Sequence, residues 1–196
     1  MSGIDALFYA PILVCDTETT GFVGHEWARV IELAAVVLDR DGSEIGVFET
    51  LVSPDILDDR AAKALEVNHI TPAQLEGQPS TAEAIAAFLA FADTPGRPWV
   101  TRFNGGFDQP MVQRMGGGAE SLRWTRCVML AAYDLMGPAG VLAPASPRPP
   151  RYLPGRPWLW PSLVAASDFL GVPAFEPAHR ALSDARRAAA VAVEVR

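Results

Sequence analysis

Leu7-Phe8-Tyr9-Ala10-Pro11-Ile12-Leu13-Val14-Cys15, followed at once by Asp16-Thr17-Glu18-Thr19-Thr20-Gly21, is the stretch on which the fold turns. An apolar run rich in strand formers gives way to an acidic, Thr-rich run ending in glycine. It reads as a buried strand that closes near Glu18, with a turn at Gly21. Residues two apart on a strand share a face, so Asp16 and Glu18 leave one side of the sheet while Cys15 and Thr17 leave the other. Two carboxylates on a largely buried strand are costly unless a cation or protons neutralise them. Oxygen-only ligands at this spacing suit Mg²⁺ or Mn²⁺, which favour carboxylates and water over His or Cys. Asp-x-Glu alone recurs by chance, most often as a solvated strand end. Its weight comes from the rest of the chain.

Working outward, Val30 to Leu38 is a second apolar run broken by Glu32, Asp41-Gly42 is a hairpin signal, and Glu44 to Val52 alternates as a third strand. Three strands with short links predict an antiparallel meander. The pattern then turns helical. Ser80-Thr81-Ala82-Glu83 is a capping box, and Ile85, Phe88, Leu89 and Ala92 follow at helical spacing. Pro98 to Phe103 reads as a short buried strand. Phe107 to Met115 reads as a helix that Gly116-Gly117-Gly118 stops, and Arg126 to Met136, Pro161 to Leu170 and a segment from about Ser183 to the end read as further helices. This order of elements predicts an α/β fold with a mixed sheet.

Length and composition set the frame. The 196 residues, 49% hydrophobic and 20% charged, predict a single globular domain spanning residues 1–196. Within it, residues 137–161 are rich in proline and carry Arg148, Arg151, Arg156, Tyr152, Trp158 and Trp160, which excludes a regular helix or central strand. Interleaved Arg and aromatics can form a stacking platform for a single strand. A proline-rich surface loop is the plainer expectation, with the two Trp leading into the next helix. Two cysteines, Cys15 and Cys127, are too few for a disulfide framework and predict reduced thiols in a soluble, cytoplasmic protein. No secretory signal and no apolar stretch near the ~20 residues of a membrane span is evident. A net charge of −7 counts against a broad cationic face for duplex nucleic acid. It leaves room for an acidic cleft in which bound cations invert the local field.

Three more residues belong with the first two carboxylates. Asp108 opens a helix directly after a buried strand, in Phe103-Asn104-Gly105-Gly106-Phe107-Asp108, where a first-turn Asp is also favoured by the helix dipole. His179 and Asp184 stand five apart at the start of the last helix, in His179-Arg180-Ala181-Leu182-Ser183-Asp184. Each fragment has an ordinary reading as a cap or surface group; their order and spacing together do not.

Asp16-Thr17-Glu18-Thr19-Thr20-Gly21, Asn104-x-x-Phe107-Asp108 and His179-x-x-x-x-Asp184 resemble the three motifs of the DEDDh, or DnaQ-like, 3′–5′ exonuclease family. Val30-Ile31-Glu32-Leu33-Ala34-Ala35-Val36 resembles that family's second strand, and Asn68-His69-Ile70-Thr71 the segment after its third. The resemblance implies an RNase H-like fold with a five-stranded mixed sheet flanked by helices. It implies two divalent cations, Mg²⁺ or Mn²⁺. Asp16, Glu18 and Asp184 would hold one, and Asp16 with Asp108, through water, would serve the other. It also implies that His179 is a general base, imidazole being the side-chain type that titrates near neutral pH.

Substrate contacts carried over in this way fall on Thr19, Thr20, Gly21 and Phe22, with Asn104, Phe107 and, less centrally, His69. The implied partners are single-stranded DNA or RNA 3′ ends, with a polymerase or a second copy of the chain compatible and no membrane. The motifs are shared by proofreading enzymes and ribonucleases. DNA is favoured, because the sequence around Asp108 departs from oligoribonucleases and the basic patches of RNase T are not evident. An exoribonuclease of RNase T type is the alternative. A catalytically silent binding module is disfavoured, since all five positions are filled.

Overall fold

The computed structural model describes residues 11–93, 98–144 and 157–196. Strands β1 (Ile12–Thr19), β2 (Val30–Leu38), β3 (Glu44–Leu51) and β4 (Trp99–Thr101) form one sheet in the order β3-β2-β1-β4. The first three make the antiparallel meander expected from their short links, and β4 pairs parallel to β1. The expected extension of β1 back to Leu7 falls on residues outside those described.

The five-stranded sheet implied by resemblance is four-stranded among the described residues. Beyond β4, the chain at residues 123–125 makes only two ladder bonds: Val100 N donates to Arg123 O at 2.9 Å, and Thr125 N to Val100 O at 2.8 Å. That is a single-residue bridge between Val100 and Trp124. The Thr101 hydroxyl then donates to Arg126 O at 2.7 Å as the chain swings into the next helix. A fifth strand is therefore truncated before it can form.

The helices are α1 (Ala62–Asn68), α2 (Pro72–Leu75), α3 (Thr81–Ala92), α4 (Asp108–Arg114), α5 (Val128–Met136), α6 (Leu163–Leu170) and α7 (Ala181–Glu194). Strand alternation sorts them into two layers. Ile12, Val14, Val36 and Leu38 point to one face and pack against α5, α6 and α7 through Met129, Met136, Ala166 and Ala188. Leu13, Cys15, Leu33 and Val37 point to the other and pack against α3 and α4 through Ile85, Phe88, Met111 and Val112. Every residue of β2 is buried, as expected of a strand covered on both sides, while edge strand β3 alternates with exposure. Complete burial of side chains such as Phe88 stabilises the three-layer arrangement by roughly 1.5–3 kcal/mol each. The capping box read at Ser80 is present, with Glu83 N donating to Ser80 Oγ at 3.3 Å and Ser80 N to Glu83 Oε2 at 2.8 Å.

Both cysteines are free and buried. Among the described residues no helix is long and apolar enough to cross a membrane. In the 137–161 stretch, residues 145–156, with Arg148, Arg151, Tyr152 and Arg156, lie outside the described residues.

Candidate active site

The alternation of β1 decides where each acid goes. Asp16 and Glu18 continue the face that holds Ile12 and Val14, so they emerge beneath α7. Asp184 comes down to them from the first turn of that helix. One carboxylate oxygen from each of the three lies within 4.8 Å of the others. Among the described residues no hydrogen bond or ion pair reaches any of these three carboxylates. Burial, with Asp108, Glu18 and Asp184 nearby, pushes Asp16 well above the ordinary carboxylate range. Glu18 is pushed up to about 8 by burial first and then by Asp184, Glu32 and Asp108. Burial also raises Asp184, opposed by His179 and Arg187. Three converging oxygens with no donors to satisfy them fit a hard divalent cation, which takes carboxylate and water oxygens.

Asp108 arrives from the opposite layer. It begins α4, whose Met111 and Val112 pack on the Leu13–Cys15 face, and its carboxylate meets Thr17 there. Thr17 donates both its amide, at 3.2 Å, and its hydroxyl, at 2.9 Å, to Asp108 Oδ1. Burial moves the Asp108 carboxyl up to about 6 while these Thr17 bonds hold it down. The loop that delivers Asp108 is shaped by Arg102, whose guanidinium bonds Thr125 O and Gln109 Oε1 and lies over Trp124. Gly105 is needed beside it, since a Cβ there would sit 2.8 Å from the guanidinium. Asn104 O accepts the amides of Phe107 and Asp108, starting the helix.

One cleft of about 510 Å³ takes in Asp16, Glu18, Asp108, His179 and Asp184. His179 is exposed at its rim, in a left-handed conformation with φ 57°. Phe22, Phe103, Phe107, Met129 and Trp160 supply its apolar walls. A second cavity of about 410 Å³ shares Thr17, Glu18, Phe22 and Phe107 with the first and adds Thr19, Thr20, Gly21, Trp27 and Asn68.

Phe22 lines both cavities with 72% of its surface exposed. Its amide donates to His25 Nδ1 at 3.3 Å, and His25 stacks on Trp27 with ring centres 4.8 Å apart. Gly21 is glycine because a Cβ would meet the Trp27 ring at 2.7 Å. The Thr19 hydroxyl donates to Gly21 O and the Thr20 hydroxyl accepts from Arg29 N, so both side chains shape this loop.

Of the residues expected from sequence, the structure gathers Asp16, Glu18, Asp108, His179 and Asp184 with Phe22, Asn104 and Phe107 in one cleft, and Thr19, Thr20 and Gly21 beside it. His69 lines neither cavity. It is the left-handed C-cap of α1, φ 54°, and its neighbour Asn68 turns inward instead, donating to Thr19 O at 3.1 Å. Trp160 is one of the cleft residues not named as a site residue from sequence, which reads it with Trp158 as part of a candidate stacking platform and, more plainly, as a lead-in to α6. The two differ: Trp158 packs on Tyr133, whose hydroxyl accepts its amide at 3.0 Å, while Trp160 faces the acids.

Residues 13–112, just over half of the chain, match the RNase T family model, described as exonuclease. Among solved structures, one of an exonuclease I discussed for how processivity is achieved superposes with a TM-score of 0.71 at 20% identity, covering 95% of this chain and 41% of that one. The moderately thermophilic exonuclease I of Methylocaldum szegediense gives 0.68 at 24%, covering 96% and 40%. E. coli exonuclease I in complex with a dA16 oligonucleotide gives 0.67 at 19%, covering 95% and 41%. At these identities the likeness establishes the fold, and the chain spans about two fifths of the length of those proteins. No curated protein matches.

Proposed function

The chain belongs to the RNase T exonuclease family, and on that premise we propose that it hydrolyses single-stranded nucleic acid from the 3′ end, releasing nucleoside 5′-monophosphates. The observation that supports this most directly is the convergence of Asp16, Glu18 and Asp184 within 4.8 Å, unpaired, in a cleft that also receives Asp108 and His179. We take residues 1–196 as one exonuclease domain. Asp16, Glu18 and Asp184 would hold one divalent cation, Mg²⁺ or Mn²⁺, and Asp16 with Asp108 would serve a second. Such cations would supply Lewis acidity to the scissile phosphate. His179, at the rim, would accept the proton of the water that attacks phosphorus; the P–O3′ bond breaks, the departing 3′ oxygen takes a proton from solvent, and His179 returns its own to solvent. Its exposure lets it exchange protons with bulk water between turnovers.

Phe22 would wedge between the last two bases, its place in the lining of both cavities supporting that role, and the loop at Thr19 to Gly21 walls the second cavity. Asn68 and Phe107 complete that cavity's surface. Arg60 and Lys63 also line it, but both are engaged by acids, Asp58 at 2.6 Å and Glu66 at 2.8 Å. Among the described residues, the two cations lining this cavity are thus paired with acids, in keeping with the net charge. That balance favours DNA ends over the basic-patch grip of an RNase T-type exoribonuclease, which is the second reading. A polymerase or a second copy of the chain would be compatible partners.

The test is a gel time course on 5′-labelled single-stranded DNA and RNA with Mg²⁺, Mn²⁺ or EDTA. A metal-dependent ladder shortening from the 3′ end is the expected outcome, faster on DNA. Products cut internally, or cleavage that survives EDTA, would overturn the reading.

A further inference from the structure

Glu32 is a carboxylate with no exposed surface, in the middle of a strand that is otherwise entirely apolar and buried. An isolated charge there is strongly disfavoured, and for stability alone an apolar residue would serve better. Both of its oxygens are occupied. Arg180 Nε donates to Oε1 at 3.0 Å and to Oε2 at 3.1 Å, and Arg180 Nη2 also donates to Oε1. Oε2 accepts the amide of Ala181 at 2.9 Å. Helix α7 has no side-chain cap from its own N-cap residue, Arg180. The acceptor its first amide requires comes instead from β2, 149 residues away in sequence.

We propose that Glu32 and Arg180 form a positioning clasp that sets His179 and Asp184 against Asp16 and Glu18, a proposal that rests on the exonuclease reading of this site. Arg180 is the link. Its side chain is locked to Glu32, its carbonyl accepts the amide of Asp184 at 3.0 Å, and the residue before it is His179. His179 holds a left-handed backbone, which a residue with a β-carbon adopts only where its surroundings dictate it. Glu32 is also the cross-strand partner of Glu18, so the clasp starts directly beside the acid it serves. One ion pair thus ties the helix-borne half of the site to the strand-borne half. A lysine at position 180 would keep the charge but lose the fork that engages both carboxylate oxygens.

The experiment compares the 196-residue chain with Arg180→Ala, Arg180→Lys and Glu32→Gln. Steady-state cleavage of a labelled oligonucleotide, Mn²⁺ titration by calorimetry, thermal melting, and amide hydrogen exchange in metal-free protein are measured for each. Groups that orient metal ligands are typically worth 10–100-fold in metal affinity or activity, so Arg180→Ala should lose ~10–100-fold in kcat with KM within ~2-fold, and weaken Mn²⁺ by a similar factor. Exchange at Ala181 to Asp184 should quicken. Added guanidinium ion should restore part of the kcat of Arg180→Ala, and Arg180→Lys should fall between it and the parent.

Unchanged kcat and Mn²⁺ affinity in a folded Arg180→Ala would overturn the clasp. So would losses that track melting temperature alone and resist guanidinium. If Arg180→Ala does not fold, Glu32→Gln carries the same comparison with a side chain of equal size. If the parent chain cuts nothing, the exonuclease reading fails, while the Mn²⁺ and exchange measurements still decide on the clasp.

Discussion

The two faces of β1 meet at its last residues, and they treat their acids differently. On the α7 face, Asp16, Glu18 and Asp184 converge with no donor to any of them among the described residues; burial raises all three, neighbouring acids raise Asp16 and Glu18 further, and His179 and Arg187 oppose the rise at Asp184. On the α4 face, Asp108 is more deeply buried yet rises only to about 6, because Thr17 supplies two hydrogen bonds. The first arrangement stores repulsion that only protons or cations relieve. The second is a carboxylate fixed in advance. On the proposed reading, the α7 face would supply the binding energy for a cation and the α4 face a ligand already aimed.

Removing the shared acid should break the comparison altogether. Asp16→Ala takes one ligand from both proposed cations, and several kcal/mol of lost charge stabilisation correspond to ~10³-fold or more in cleavage rate. A single-turnover assay beside circular dichroism checks it, and a folded variant that still cuts would end the assignment. His179→Ala tests the rim without touching the acids, with a fall of ~10²-fold or more in kcat expected and Mn²⁺ binding retained. Thr17→Val keeps a strand-favouring shape but deletes the hydroxyl that holds Asp108, so a loss of about 10-fold should appear in kcat while the α7-face cation site, measured by Mn²⁺ titration, stays intact.

The smallest effect is on stability, and its sign follows from the raised carboxyls. In metal-free protein Glu18 keeps its proton up to about 8, whereas the unfolded chain loses it near the ordinary glutamate value. The folded state thus binds more protons between those limits, and its stability falls as pH climbs from about 5 to 8. Melting curves without metal should drop on the order of 5 °C across that range, and saturating Mg²⁺ or Mn²⁺ should remove the decline. A metal-free melting temperature that rises over the same range would contradict the repulsion described here.

The five acidic and imidazole positions were legible through their order and spacing together, the pattern that carries the family resemblance, since each fragment alone has an ordinary reading. The β1 alternation placed Asp16 and Glu18 on one face, and the Phe103–Asp108 turn opened α4 at Asp108. What escaped the sequence was long-range. Thr17 was assigned to the face away from Asp16, correctly, but nothing local shows that Asp108 waits on that side. The last helix was placed from about Ser183, where Ser and Asp look like caps, yet it begins at Ala181 because Glu32 caps it from another strand. The visible signal was Glu32 itself, the sole break in an apolar run. Helices α1 and α2 were not read at all, although Thr71-Pro72-Ala73-Gln74 carries a capping box that the structure confirms, with Thr71 N donating to Gln74 Oε1 at 2.8 Å. Both are short, and pattern reading over a longer window averages such turns away.

The parallel return of β4 beside β1, and the late arrival of α7 over the same sheet, also bear on when this site can exist. A chain made from its N-terminus presents Asp16 and Glu18 first, Asp108 some ninety residues later, and Asp184 last of the four. Until α7 is made and docked, the cluster of three oxygens has no third member, and the early carboxylates have nothing to organise them. On the proposed reading, a chain without α7 lacks one cation ligand, so cleavage would wait until that helix has docked on the sheet.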